Sequence, residues 1–154
     1  MEAGMKRFIV SIMLIAMVLC GTAQAQSNGF GLGIILGEPT GINFKHWTGQ
    51  KTALVGAAAW AFGRENAFHL HVDYTFHNFR LIKAERHSIP FYYGIGFRFK
   101  DEYRDRFGAR FPLGIIFMFD DAPIDIFLEI VPIFDFAPRT ELSFNAGIGA
   151  RYYF

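Results

Sequence analysis

The chain has 154 residues, of which 52% are hydrophobic, 18% aromatic and only 19% charged, with a formal net charge of +1. This composition excludes a disordered chain, and the length fits a single domain. The 19 Phe residues make the chain unusually apolar for a soluble domain. Its 16 Gly and 6 Pro residues nevertheless interrupt the apolar runs too often for membrane-spanning helices.

The first 25 residues have the pattern of a secretory signal peptide. Lys6 and Arg7 precede a run of 13 residues that is apolar apart from one Ser, and such a run is too short for a spanning helix. Residues 23–25 (Ala-Gln-Ala) form a small-x-small cleavage pattern. We therefore expect residues 1–25 to be a signal peptide and residues 26–154 to be the exported domain.

Removal of that peptide changes the charge and the redox chemistry of the chain. Because Glu2, Lys6 and Arg7 would be lost, 13 basic and 13 acidic residues would remain. A net charge of zero argues against a nucleic-acid partner. The only cysteine, Cys20, would also be lost, so the exported domain could not depend on disulfides for its stability.

The rest of the chain alternates apolar residues with polar or small ones, which is the pattern of a β-strand with two different faces. In chain order, the eight predicted strands are Phe30–Leu36, Ile42–Trp47, Thr52–Phe62, Phe68–Phe79, Phe91–Lys100, Phe107–Phe119, Ile124–Phe136 and Glu141–Phe154. Turn-forming segments separate them. Most approach the ~9–11 residues that cross a bilayer at a tilt. Composition does not settle which face of the Ala-rich third strand is which.

The two faces of these strands differ in a way that is unusual for a soluble protein. The apolar face is rich in aromatic and β-branched residues, whereas the other face holds many Gly residues. Gly weakens a strand, so we interpret it as making room for large side chains in a crowded interior. The polar face carries five basic and five acidic residues: Lys45, Arg98, Lys100, Arg110 and Arg151 against Asp73, Asp125, Glu129, Asp135 and Glu141. Charges that are enclosed together need such partners.

The pattern predicts an all-β fold, an eight-stranded antiparallel up-and-down transmembrane β-barrel with a polar lumen filled by side chains. A closed barrel satisfies every backbone group in hydrocarbon, and eight strands enclose an interior that side chains can fill. The predicted lumen salt-bridge network consists of Lys45, Asp73, Arg98, Arg110, Asp125, Glu129, Glu141 and Arg151. The predicted aromatic girdles consist of Trp60, Phe62, Phe79, Tyr152 and Phe154.

The chain ends in the sequence Arg-Tyr-Tyr-Phe. With eight alternating strands and this ending, residues 27–154 resemble the small OmpA/OmpX-type outer-membrane β-barrels. The segments 31–34 (Gly-Leu-Gly-Ile) and 123–129 (Pro-Ile-Asp-Ile-Phe-Leu-Glu) are similar to small outer-membrane barrels without a defined biochemical role. The resemblance implies an outer-membrane location, with membrane lipids around the barrel. It also implies that Tyr152 and Phe154 form a signal for the barrel-assembly machinery.

On this interpretation the function is structural or a surface interaction, without catalysis and without a cofactor. An extracellular protein ligand would bind loop residues such as Arg64, Glu65, Tyr103 and Arg104. The loops expected on the outer side are short, which weakens the interpretation as an adhesin. Two alternatives stay open, a narrow ion or solute channel through the charged lumen and a lipid-modifying barrel enzyme.

Two groups of residues could carry chemistry. Lipid A palmitoyltransferases and deacylases share this fold and need Ser, His and a carboxylate within mutual reach; here Ser143, with Glu141 on the same face, is the only strand candidate. His69, His71 and Asp73 share another face and could bind a transition metal. The first and last of these three are about 13 Å apart along a strand. We therefore predict no metal site, with His69 and His71 as candidates only if other strands contribute ligands.

Overall fold

The computed structural model describes residues 29–61, 67–82, 88–101 and 105–154. Every regular element in these ranges is a β-strand. The strands are β1 (Phe30–Gly37), β2 (Gly41–Trp47), β3 (Thr52–Ala61), β4 (Ala67–Asn78), β5 (Phe91–Asp101), β6 (Arg106–Arg110), β7 (Leu113–Met118), β8 (Ile124–Ala137) and β9 (Glu141–Tyr153). In the ranges that the structure describes, no helix is long and apolar enough to cross a membrane.

Several predictions concern residues outside these ranges. The signal peptide is one of them. The loop residues Arg64, Glu65, Tyr103 and Arg104 and the girdle residue Phe62 also lie outside the described residues, as does the side chain of Trp60. These expectations stay predictions.

The strands form one antiparallel sheet that closes on itself into a ring. Apart from β6 and β7, which do not pair with each other, each strand pairs with its neighbours in the sequence, and β1 pairs with β9 to close the ring. β6 and β7 both lie between β5 and β8, so together they fill one of eight strand positions. The predicted all-β fold with eight strand positions is confirmed.

The single strand predicted over Phe107–Phe119 is divided in two because Pro112 has no N–H to give to the ladder. The chain still keeps its direction through the break. Phe111 N donates to Pro132 O at 3.0 Å on one side, and Gly94 N donates to Pro112 O at 2.9 Å on the other. The break therefore separates two elements without opening the ring.

The ring is staggered, which sets the tilt of its strands. One circuit of directly paired residues runs from Arg151 on β9 through Gly33, Asn43, Ala57, His71, Arg98, Gly108 and Asp135 to Glu141, again on β9. The circuit thus returns 10 positions away from its start. With about 3.3 Å per residue and about 4.8 Å between strands, this offset tilts the strands by about 40° from the axis.

The two faces of the strands separate apolar from polar side chains. Large apolar residues point outward and are exposed, as Phe97 (71%) and Phe144 (63%) illustrate, while charged residues point inward and are buried. In β3, Ala53, Val55, Ala57 and Ala59 are buried, which settles the facing that composition left open. Three of these four inward side chains are no larger than a methyl group.

Candidate functional site in the ring interior

The ring has two ends, which we name from the position of the chain terminus. The terminal end holds Phe154, whose N donates to Phe30 O at 3.0 Å, and the turn before β8, where Pro123 O accepts from Tyr153 N at 2.8 Å. The far end holds the β1–β2 turn near Thr40. The polar side chains of the interior form three groups between these ends.

The group nearest the terminal end is centred on Asp125. Arg151 Nε and Nη2 donate to its two carboxylate oxygens at 2.9 and 3.1 Å, and the Tyr153 hydroxyl donates to Oδ2 at 2.6 Å. Arg151 Nη1 also donates to Asn43 Oδ1 at 3.3 Å, and the guanidinium carbon lies 4.2 Å from the centre of the Phe127 ring. Asp125 and Arg151 are directly paired on adjacent strands, so strand register alone brings them together.

The middle group joins four strands, β4, β5, β6 and β8, through Arg110 and Glu129. Arg110 Nε donates to both oxygens of Asp73, at 3.0 and 3.2 Å. Arg110 Nη2 forms a longer ion pair with Glu129 Oε1 at 3.6 Å, and the Tyr92 hydroxyl donates to Glu129 Oε2 at 2.8 Å. Arg110 is fully buried and Asp73 is 1% exposed, so this guanidinium depends entirely on its protein partners.

The group toward the far end is a pair between Arg98 and Asp135. Arg98 Nε donates to Asp135 Oδ1 at 3.1 Å, and Nη2 donates to the other carboxylate oxygen. Arg98 Nη2 also donates to Ser143 Oγ at 3.2 Å. The predicted network of eight residues omitted Asp135, although its place on the polar face of β8 was the signal that could have included it.

Glu141 is not part of the buried network, and its predicted place there is wrong. Its side chain is 61% exposed, and its ion pair with Arg106 Nη1 spans 4.0 Å. Glu141 has the inward parity that the sequence indicates, but it is the first residue of β9. Parity gives the face of a strand and not the height along it, so a residue at the rim reaches solvent.

Lys45 is buried as predicted, but its contacts differ from the prediction of a salt bridge. Its Nζ lies 3.0 Å from His77 Nε2 and 3.8 Å from the centre of the Trp47 ring. Among the described residues, no carboxylate lies within ion-pair distance of this amine. Phe79, predicted to lie in a girdle, packs against this interior cluster, with its ring centre 6.3 Å from that of Trp47.

Four hydrogen-bonded polar pairs bridge strands that are not adjacent, and in each pair a Gly occupies the intervening strand. The triplets are Asn43–Gly33–Arg151, Asp73–Gly96–Arg110, Arg98–Gly108–Asp135 and Tyr92–Gly114–Glu129. A Cβ built on Gly96 would collide with Asp73 Oδ1, and one on Gly114 would lie 2.6 Å from the Tyr92 ring. The interior glycines therefore make room for side chains from the strands on both sides of them.

The remaining predicted residues lie apart from these groups. His69 and His71 are buried with their ring centres 5.5 Å apart, and His71 Nε2 lies 3.8 Å from Asp73 Oδ2. The described residues contain no group of three side chains suited to a metal ion. Tyr152 and Phe154, the predicted assembly signal, lie on the outward face with their ring centres 5.3 Å apart.

Among the described residues, the arrangement encloses as many Lys and Arg side chains as carboxylates. The buried cationic side chains are Lys45, Arg98, Arg110 and Arg151, and the buried carboxylates are Asp73, Asp125, Glu129 and Asp135. Most are held by charge-assisted hydrogen bonds, which are stronger than neutral ones. The chemistry that this geometry supports is mutual neutralisation of enclosed charges. No family model, curated protein or solved structure matches the chain.

Proposed function

We propose that this chain is an integral outer-membrane β-barrel protein with a structural or surface-interaction role and no catalytic activity. The observation that carries the proposal is the inverted distribution of side chains. Among the described residues, 28 large hydrophobic side chains are exposed, while four cations and four carboxylates are buried inside a closed ring. A soluble monomer rarely exposes a contiguous apolar patch above a few hundred Å².

The backbone geometry supports the same proposal. A closed antiparallel ring pairs its strands without leaving an edge, which is what hydrocarbon demands of a spanning sheet. The tilt of about 40° agrees with the roughly 35–45° of membrane barrels. On this proposal, membrane lipids surround the ring and the barrel-assembly machinery recognises Tyr152 and Phe154. The apolar outer face of the sheet then contacts lipid, and the polar inner face is enclosed by the ring.

The interior favours a filled barrel over the alternatives. We expect the pairs bridging the glycines to block the path that an ion would have to take. Ser143 Oγ is engaged by the Arg98 guanidinium at 3.2 Å rather than by the imidazole that a catalytic serine needs. An extracellular protein ligand bound by the loops is the form of surface interaction that we propose.

Labelling in a bilayer tests the membrane location. The predicted mature chain lacks cysteine, so Ile95→Cys, Leu128→Cys and Ile148→Cys would each give one reactive site on the outward face. We expect a spin label there, in reconstituted vesicles, to be relaxed by oxygen dissolved in the lipid and protected from a water-soluble nickel chelate. Arg139→Cys, at an exposed turn position, is the matched control and should show the opposite preference.

Two outcomes would contradict the proposal. One is access of the water-soluble reagent to all three outward positions. The other is a folded, β-rich monomer that stays soluble without detergent. Planar-bilayer recordings on the same refolded protein test the filled interior, for which we expect no conductance steps above background.

A further inference from the structure

Basic side chains line one wall of the interior toward the far end. On β4 and β5, His69 is directly opposite Lys100 and His71 is directly opposite Arg98. Lys100 is in turn opposite Arg106 on β6. Groups that carry or can acquire the same charge destabilise a sheet when they are directly opposed. We call the set His69, His71, Arg98, Lys100, Arg106 and Arg110 the basic wall.

The buried polar atoms without a partner are concentrated in this wall. Among the described residues, every buried side-chain atom that lacks a hydrogen bond is a nitrogen: Trp47 Nε1, His69 Nε2, His71 Nδ1, and Arg110 Nη1 and Nη2. Four of these five atoms belong to the basic wall. Arg110 is fully buried, His71 is 2% exposed and His69 is 7% exposed. Among the described residues, these four nitrogens therefore lack a hydrogen-bond acceptor.

The geometry around Arg110 leaves one edge of its guanidinium available. Asp73 accepts from Nε, and Glu129 is 3.6 Å from Nη2, too far for a good hydrogen bond. The residues next to the wall are small, because Ala57 is opposite His71 and Ala59 is opposite His69. The unpaired donors therefore lie next to small side chains.

We propose that the basic wall binds one small anion of the size of chloride or bromide. Arg110 Nη1 and Nη2 donate to the anion, and ring N–H groups of His69 and His71 complete its shell. A guanidinium presents its donors in a fixed fork that suits an anion. The bound anion supplies the acceptor that these buried nitrogens lack. This site is separate from the proposed membrane role and does not depend on it.

Bromide provides the direct test, because it scatters anomalously. Crystals of the unmodified, refolded chain grown in sodium bromide should show an anomalous peak within hydrogen-bond distance of Arg110 Nη1 or Nη2. A water molecule at that position, or bromide bound only elsewhere, would overturn the proposal. This experiment needs no substitution, so it tests the proposal even if a variant fails to fold.

A solution measurement tests the donors individually. The urea midpoint of unfolding should rise and saturate as sodium bromide replaces sodium gluconate at constant ionic strength, because a ligand of the native state stabilises it. In His69→Phe/His71→Phe, the bromide concentration for half of the effect should increase at least about tenfold. Trp47→Phe removes an unpartnered N–H near the terminal end and should leave the bromide response unchanged. An equal response in the double variant would contradict the assigned donors.

Discussion

The two halves of the interior fill their space in different ways. Near the terminal end, the last residues of β2, β7 and β9 are Trp47, Met118 and Tyr153, and all three belong to the buried apolar cluster together with Tyr92 and Phe127. Toward the far end, the interior holds His69, His71, the Arg98–Asp135 pair and the small residues of β3. The terminal half thus holds aromatic rings, and the far half holds charges, small side chains and the aliphatic residues Ile35 and Ile133.

This difference shows where the stability of each half originates. In the terminal half, rings pack against each other, and Asp125 accepts hydrogen bonds from both Arg151 and Tyr153. In the far half, Asp135 relies on Arg98, and the buried atoms His69 Nε2 and His71 Nδ1 lack a hydrogen bond. We expect the terminal half to be the more resistant to unfolding. The following predictions test this comparison in order of decreasing effect.

Asp125→Ala should have the largest effect. It would leave the Arg151 guanidinium buried without its carboxylate and would remove the acceptor of the Tyr153 hydroxyl. Breaking a buried ion pair on one side costs about 3–5 kcal/mol. Urea unfolding in detergent would measure the loss of unfolding free energy. Asp135→Ala is the matched change in the far half and should cost less, so an equal or larger loss for Asp135→Ala would overturn the ranking of the two halves.

Gly96→Ala should disrupt the middle group. A Cβ at this position collides with Asp73 Oδ1 and would displace the carboxylate from Arg110. Overpacking and the weakened ion pair together should cost about 2–4 kcal/mol. Gly147→Ala is the control, because its Cβ would meet the flexible end of Ile35 at 2.9 Å. Equal losses of unfolding free energy in the two variants would show that the hydrogen-bonded pairs do not require a Gly on the intervening strand.

Tyr92→Phe should have a moderate effect. The change removes only a hydroxyl that donates to Glu129 at 2.8 Å, and it keeps the ring that covers Gly114. Because the acceptor is a buried carboxylate, the expected loss is about 1–3 kcal/mol by chemical denaturation. Ser143→Ala, which removes the hydroxyl next to Arg98 in the far half, should cost less than this. A loss near zero for Tyr92→Phe would indicate that water replaces the hydroxyl.

Glu141→Gln should have the smallest effect. The carboxylate is 61% exposed and 4.0 Å from Arg106, and exposed pairs contribute about 0–1 kcal/mol. We expect the unfolding free energy to change by less than about 0.5 kcal/mol. A loss of unfolding free energy above about 2 kcal/mol would contradict this, because it would indicate that Glu141 belongs to the buried network that the sequence predicted.

Much of the candidate site was accessible from alternation alone. Asp73, Arg98, Arg110, Asp125, Glu129 and Arg151 are all buried on the face that parity assigns to them. Alternation could not identify which of these residues meet. Arg110 binds Asp73 from two strands away, and Lys45 lies beside His77 instead of a carboxylate. Such contacts depend on which residues have equal height in the ring, and a pattern of period two carries no information about height.

The sequence by itself determined the strands, their two faces and the inversion that turns charges inward, because side chains alternate along every strand whatever its neighbours are. The tertiary structure decided the rest. Closure of β1 on β9 with an offset of 10 positions determined that Glu141 lies at the rim while Asp135 meets Arg98. It also settled the facing of the Ala-rich β3, where composition was neutral. Register and stagger arise from pairing between distant segments, so only the closed ring could select these partners.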